Sequence, residues 1–94
     1  MFSNYFNPVP EEIISFKESL NQNTIGFHVS CYHADAFPDF NNSDIAIIFV
    51  PENRGGSDKL EYNSYLEFRK SFYSLFKGNW KFRIIDFGDL KLGS

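Results

Sequence analysis

His28, Cys31 and His33 stand within one six-residue stretch, "HVSCYH", and imidazole nitrogen with thiolate sulfur is the ligand chemistry of zinc. Strand alternation would set Cys31 and His33 on one face and His28 on the other, so the three would not share an ion. A structural zinc site needs four ligands, and the chain holds two histidines and one cysteine. The expected state is a buried thiol beside half-exposed imidazoles, with no metal. His33 also heads "HADAFPD", where Asp35 and Asp39 could do acid–base chemistry with it. Nothing there supplies a nucleophile, and Pro38, Asp39, Asn41 and Asn42 favour irregular backbone. A surface turn is the expectation.

"PENRGGSD" (residues 51–58) is the second candidate, because the loop after an apolar strand borders the ligand cleft in many α/β proteins. It has neither the Gly-Lys-Ser/Thr ending of a phosphate loop nor the three glycines of a dinucleotide fingerprint. Gly55 and Gly56 fit positive backbone angles. Arg54 is the residue with ligand potential, since a guanidinium can hold a carboxylate through two parallel hydrogen bonds; Asn53 and Gly55 flank it. Asp86 and Asp89 in "IIDFGD" form the third candidate, placed toward the carboxyl end of a strand, where such clefts open.

These residues must be positioned by a small set of elements. Glu11 and Glu12 follow Pro8 and Pro10, and Ile13, Phe16 and Leu20 share a face, which predicts a short helix from about Pro10 to Leu20. "TIGFHVSCYH" alternates well enough for a strand weakened by Gly26. "DIAIIFV" is apolar almost throughout, the pattern of a strand covered on both faces in a parallel sheet. Ser64 and Glu67 have capping-box spacing, and Tyr65, Phe68, Phe72, Leu75 and Phe76 recur at three and four residues, predicting a helix stopped by Gly78. "WKFRIIDFG" then reads as a second strand. Residues 44–94 thus form a βαβ unit with parallel strands, and residues 1–43 a helix-and-strand extension to it.

Ninety-four residues make one small domain. Acids outnumber bases by 12 to 9, which argues against a nucleic-acid binder. The charge is uneven: one lysine stands against six acids in Met1 to Ile47, and eight bases against six acids in the remainder. Arg69, Lys70, Lys77 and Lys81 lie on or just after the second helix, and the reading for them is a solvated helix end that complements its dipole. A lone cysteine cannot close an internal disulfide, so a reducing cytoplasm is expected. No segment has the length of a membrane span. Aromatic residues are 19% of the chain, twelve of them phenylalanine, more core material than one small βαβ unit can enclose. An aromatic surface left for a partner is expected.

In order and spacing, "SDIAIIFVPENRGG", "YLEFRKSFYSLFKGNW" and "FRIIDFGDLKLG" resemble the N-terminal region of the arginase and agmatinase family, most closely its formimidoylglutamase-like branch. The resemblance rests on Val50 and Pro51, Arg54 and Gly55, Phe68 and Arg69, Phe72 to Leu75, and Asp86, Gly88 and Asp89. It covers about the last 50 residues well. It implies a three-layer α/β/α fold of which this chain would form the N-terminal portion. In complete members it implies a two-manganese centre that activates water to hydrolyse a guanidino or formimidoyl C–N bond. The family's metal-binding motifs, of the Gly-Gly-x-His, Asp-x-His-x-Asp and Asp-x-Asp kinds, do not occur in these residues. The chain alone is therefore expected not to be an enzyme, with manganese belonging to the parent, Arg54, Asn53 and Gly55 at the substrate cleft, and the remainder of the parent as partner. The rival expectation is a freestanding, non-catalytic α/β module that self-associates or binds another chain through its aromatic surface. A third is a small-molecule binder using Arg54 and Asp86.

Overall fold

The computed structural model describes residues 2–50 and 58–91. A 3-10 turn at Phe2–Tyr5 leads into β1 (Phe6–Asn7), α1 (Glu11–Glu18), a second 3-10 turn at Gly26–His28, β2 (Ser30–Cys31), β3 (Ile45–Phe49), α2 (Asp58–Tyr73) and β4 (Ile84–Leu90). The architecture is α/β, a four-stranded mixed sheet with two helices. β4 is its centre: β3 lies parallel to it on one edge, while the other edge is shared end to end by β2, parallel, and β1, antiparallel. The expected parallel βαβ unit is present as β3, α2 and β4, and β1 makes the sheet mixed.

The N-terminal helix lies within its predicted bounds. Pro10 precedes it with φ −58°, already helical in φ, and its carbonyl accepts from the N–H groups of Ile13 and Ile14. Ile13 and Ile14 are buried, and α1 packs on α2. The strand expected over "TIGFHVSCYH" shrinks to Ser30–Cys31, with Gly26–His28 coiled in a 3-10 turn. The cause is close packing: a Cβ on Gly26 would lie 2.5 Å from Cβ of Tyr73. The backbone therefore turns against α2, and the Ile25 N–H donates to the Leu75 carbonyl at 2.8 Å.

The second helix departs more from expectation. It already covers Asp58–Tyr73, so Ser64 lies inside it and is not its N-cap. Its last helical residue is Tyr73, and the chain turns through Gly78, at φ 59°. Its buried stripe is Leu66, Arg69 and Tyr73, flanked by half-buried Tyr65 and Phe72, whereas Phe68, Leu75 and Phe76 are exposed. The inward face is rotated from the one that apolar periodicity selects because a cation, Arg69, occupies it.

The two faces of the sheet are filled differently. On the helical side Val9, Ile13, Ile14, Ile25, Val29, Leu66, Tyr73 and Ile84 form the main core, each large aliphatic contributing roughly 1.5–3 kcal/mol by leaving water. On the other side Phe6, Ile85 and Phe87 are capped by Phe37 and Tyr32. Phe37 stacks 5.0 Å from Phe87, and Phe40 meets Phe87 at 5.8 Å. The segment around Pro38 is the irregular one its composition predicts, yet its phenylalanines fold back onto the sheet and use part of the aromatic excess.

Candidate functional site

The most concentrated polar chemistry lies between α2 and β4. Arg69 Nε donates to Asp86 Oδ2 at 2.8 Å and Nη2 to Oδ1 at 2.9 Å, a two-pronged pair, while Nη1 donates to Asp89 Oδ1 at 3.0 Å. The guanidinium carbon sits 3.9 Å from the centre of the Phe49 ring, an added cation–π contact. Tyr73 donates its hydroxyl proton to Asp86 Oδ2 at 2.6 Å, and the Gly88 N–H donates to Oδ1 at 2.9 Å. Cys31 Sγ closes the cluster, 3.3 Å from the Tyr73 hydroxyl. Asp86 is fully buried and Arg69 is 1% exposed.

A local irregularity lets both carboxylates reach one arginine. On a regular strand, residues 86 and 89 would point to opposite faces. Here Ile47 pairs with Asp86 and Phe49 with Asp89, so β4 holds one residue more than β3 across this interval, a β-bulge. Gly88 sits in it at φ 90°, and a Cβ there would lie 1.9 Å from the Asn7 carbonyl oxygen. Only glycine serves both demands. The bulge returns Asp89 to the helical face.

The electrostatics are those of a closed, satisfied network. Burial alone would lower the Arg69 pKa, but Asp86 and Asp89 outweigh it and the guanidinium is held more firmly protonated than usual. Burial, reinforced by the Asp86 charge, pushes the Tyr73 phenol well above its ordinary value. Burial likewise raises the Cys31 thiol despite its bond to Tyr73, which leaves it a poor nucleophile at neutral pH. Asp86 accepts from four donors and faces no solvent, so the cluster can hold structure together but offers no general base to a substrate.

The candidates read from sequence fall in several places. Arg54, Asn53 and Gly55 lie outside the described residues. Asp86 is not at a cleft border as expected; it is the buried partner of Arg69, and only Asp89 is partly exposed. Arg69 is not a solvated helix cation, because the two aspartates draw it inward; Lys70 stays at the surface, paired with Glu12 at 2.6 Å. His33 pairs with Glu11 at 2.5 Å, Asp39 accepts from the Asn41 N–H, and His28 Nε2 contacts the Gln22 carbonyl. The structure thus separates His28, Cys31 and His33, and gives His33 a glutamate in place of Asp35 or Asp39. Among the described residues no group of three or more His, Cys, Asp or Glu could hold a metal ion, and no helix is long and apolar enough to cross a membrane.

A second feature had no motif to announce it. Beside β3 runs an apolar groove of about 770 Å³, lined by Ile47, Phe49, Tyr65, Phe68, Phe72 and Trp80 among others. Along β3 the alternate residues Ile45, Ile47 and Phe49 are half-buried while Ala46, Ile48 and Val50 are exposed, and among the described residues β3 pairs only with β4. Its apolar composition was the available signal. Compared with known proteins, the chain matches no family model, no curated sequence and no solved structure.

Proposed function

We propose that this chain is the N-terminal portion of an arginase-family, formimidoylglutamase-like C–N hydrolase, positioning structure for the catalytic centre without being catalytic alone. The observation that carries this reading is β3: a strand apolar on both sides, with one side on α2 and the other, through Ala46, Ile48 and Val50, open. A strand of that composition belongs inside a parallel sheet covered by helices on both faces. In the proposed parent a further strand adjoins β3 and a second helical layer closes the three-layer α/β/α fold.

The residues described here do not fit a manganese site. Asp86 and Asp89, the nearest approach to a ligand pair, are both committed to Arg69. Metal-dependent hydrolysis is accordingly assigned to the remainder of the parent, and no step of it is routed through these residues. Arg54, with Asn53 and Gly55, is proposed to contact the substrate carboxylate from the loop after β3.

The test is to sequence the encoding reading frame past codon 94. Continuation into His and Asp motifs of the manganese-binding kind, with manganese-dependent amidine hydrolysis by the longer chain and none by residues 1–94, supports the proposal. A native stop after Ser94 overturns it. The exposed Phe68, Phe76 and Phe82 then favour the second reading, a freestanding interaction module. That reading requires a discrete dimer at low micromolar concentration in sedimentation.

A further inference from the structure

At the end of the sheet away from the Arg69 cluster, where the parallel strands β2, β3 and β4 begin, the surface opens into a cleft of about 510 Å³. Lys77, Lys81 and Arg83, from the connection between α2 and β4, line it together with Ser30 and Ser43. Among the described residues none of these three cations has a carboxylate within ion-pair distance. The acid lining the cleft is Asp39, which accepts from the Asn41 N–H, and nearby Asp44 accepts from the Arg83 backbone N–H at 2.8 Å. Cations therefore outnumber carboxylates on the cleft wall.

A recess of about 10 Å³ adjoins the cleft, sharing His28, Lys77, Phe82 and Ile84 with it and adding Trp80. That volume is about one water-sized sphere. Trp80 Nε1 is the one buried side-chain polar atom among the described residues that lacks a hydrogen-bond partner. An indole N–H can only donate, and a buried donor left unpaired costs roughly 1–3 kcal/mol. The Ser43 hydroxyl is already spent on the Phe40 carbonyl at 2.8 Å, but the unpaired cations, the Ser30 hydroxyl and the unused indole donor in one region call for the same kind of ligand, one rich in acceptor oxygens and negative charge.

We propose that this cleft binds a compact dianion, a phosphate group or a small dicarboxylate, through Lys77, Lys81 and Arg83, with the bound anion or its water satisfying the Trp80 indole. The site is independent of the loop after β3 and of the fragment reading, since it is built from residues at the opposite end of the strands.

Trp80 is the only tryptophan, so its indole N–H gives a single resonance in a proton–nitrogen correlation spectrum of the full chain. The experiment titrates inorganic phosphate and, separately, succinate, against sodium chloride at matched ionic strength. The expected result is a saturable shift of the indole resonance with at least one dianion, the tighter of the two naming the preferred group. The double variant Lys77→Gln/Arg83→Gln should weaken the apparent affinity at least tenfold, and Lys91→Gln, beyond the far end of β4, should leave it unchanged. Should the double variant fold poorly, Lys81→Gln on the exposed turn serves in its place, with a smaller loss expected. A shift that is linear, equal with chloride, or unaltered by the cleft variants overturns the proposal.

Discussion

β3 and β4 are neighbours with unequal fates. β3, Ile-Ala-Ile-Ile-Phe, carries no polar side chain, yet none of its residues is fully buried, and Ile48 is 43% exposed. β4, Ile-Ile-Asp-Phe-Gly-Asp-Leu, contains two carboxylates, yet its first five residues are all buried. Burial in this sheet follows position and not hydropathy. β4 is flanked on both edges and covered on both faces, so even its charge is enclosed, at the cost of desolvation that Arg69, Tyr73 and the Gly88 amide offset. β3 lacks a neighbour on its outer edge among the described residues and supplies apolar surface that the described part of the chain does not consume.

The contrast makes ordered predictions. Breaking the enclosed pair should have the largest effect: Arg69→Ala or Asp86→Ala leaves an uncompensated buried charge and should cost about 3–5 kcal/mol in urea unfolding. Truncating an aliphatic side chain beside it comes next. Ile84→Ala should cost about 2–4 kcal/mol, and an equal loss from Ile48→Ala would show that β3 is as enclosed as β4 and abolish the contrast. Gly88→Ala forces a side chain onto φ 90° and against Asn7, costing about 1–3 kcal/mol for the backbone conformation alone. It should weaken the β1–β4 pairing first, seen as faster amide exchange at Lys91, whose N–H donates to the Tyr5 carbonyl.

The smaller effects sharpen the picture. Tyr73→Phe removes one hydrogen bond to a charged acceptor and should cost about 1.5–3 kcal/mol at neutral pH. Its alkaline behaviour has a definite sign. The folded phenol is held neutral above its ordinary value of 10.0, and the Cys31 thiol above 9.0. Between pH 9 and 11 the unfolded chain therefore releases protons that the folded chain keeps. Stability should be fully present below about pH 9 and fall above it, approaching about 1.4 kcal/mol per pH unit for each such group. Tyr73→Phe should remove the phenol's share of that slope; an unchanged slope would mean that Tyr73 is not enclosed. Last, Ile48→Thr should shift stability by no more than about 0.5 kcal/mol.

Much of the fold was legible because it rests on strong local signals. Pro10 with Glu11 and Glu12 marked α1, and the two apolar runs marked β3 and β4, although β4 runs Ile84–Leu90 and leaves out residues 80–83 of the expected strand. Three things were not legible, each for a reason of long-range chemistry. Arg69 reads as a surface cation in any helical pattern, since its partners lie 17 and 20 positions away. The short β2 depends on how closely Gly26 approaches Tyr73, a contact between distant segments. Ser64 and Glu67 matched a capping pattern that also occurs within helices, and the helical residues from Asp58 to Ser64 lie ahead of the apolar periodicity. The aromatic excess was a sound signal of surplus core, but Phe37 and Phe40 show that part of the surplus is used within this chain.

The bulge at Gly88 has a consequence for how the strands choose their alignment. Two apolar strands can slide past each other by one or two positions with little change in apolar contact, so greasiness alone selects no single register. A one-residue slip of β4 would swing Asp86 to the aromatic face and leave Arg69 pressed against Ile85 or Phe87, its charge unanswered. A two-residue slip would draw Gly88 away from Asn7 and offer that position a side chain it has no room for. The ion pair and the glycine together act as a vernier, and between them they admit one alignment.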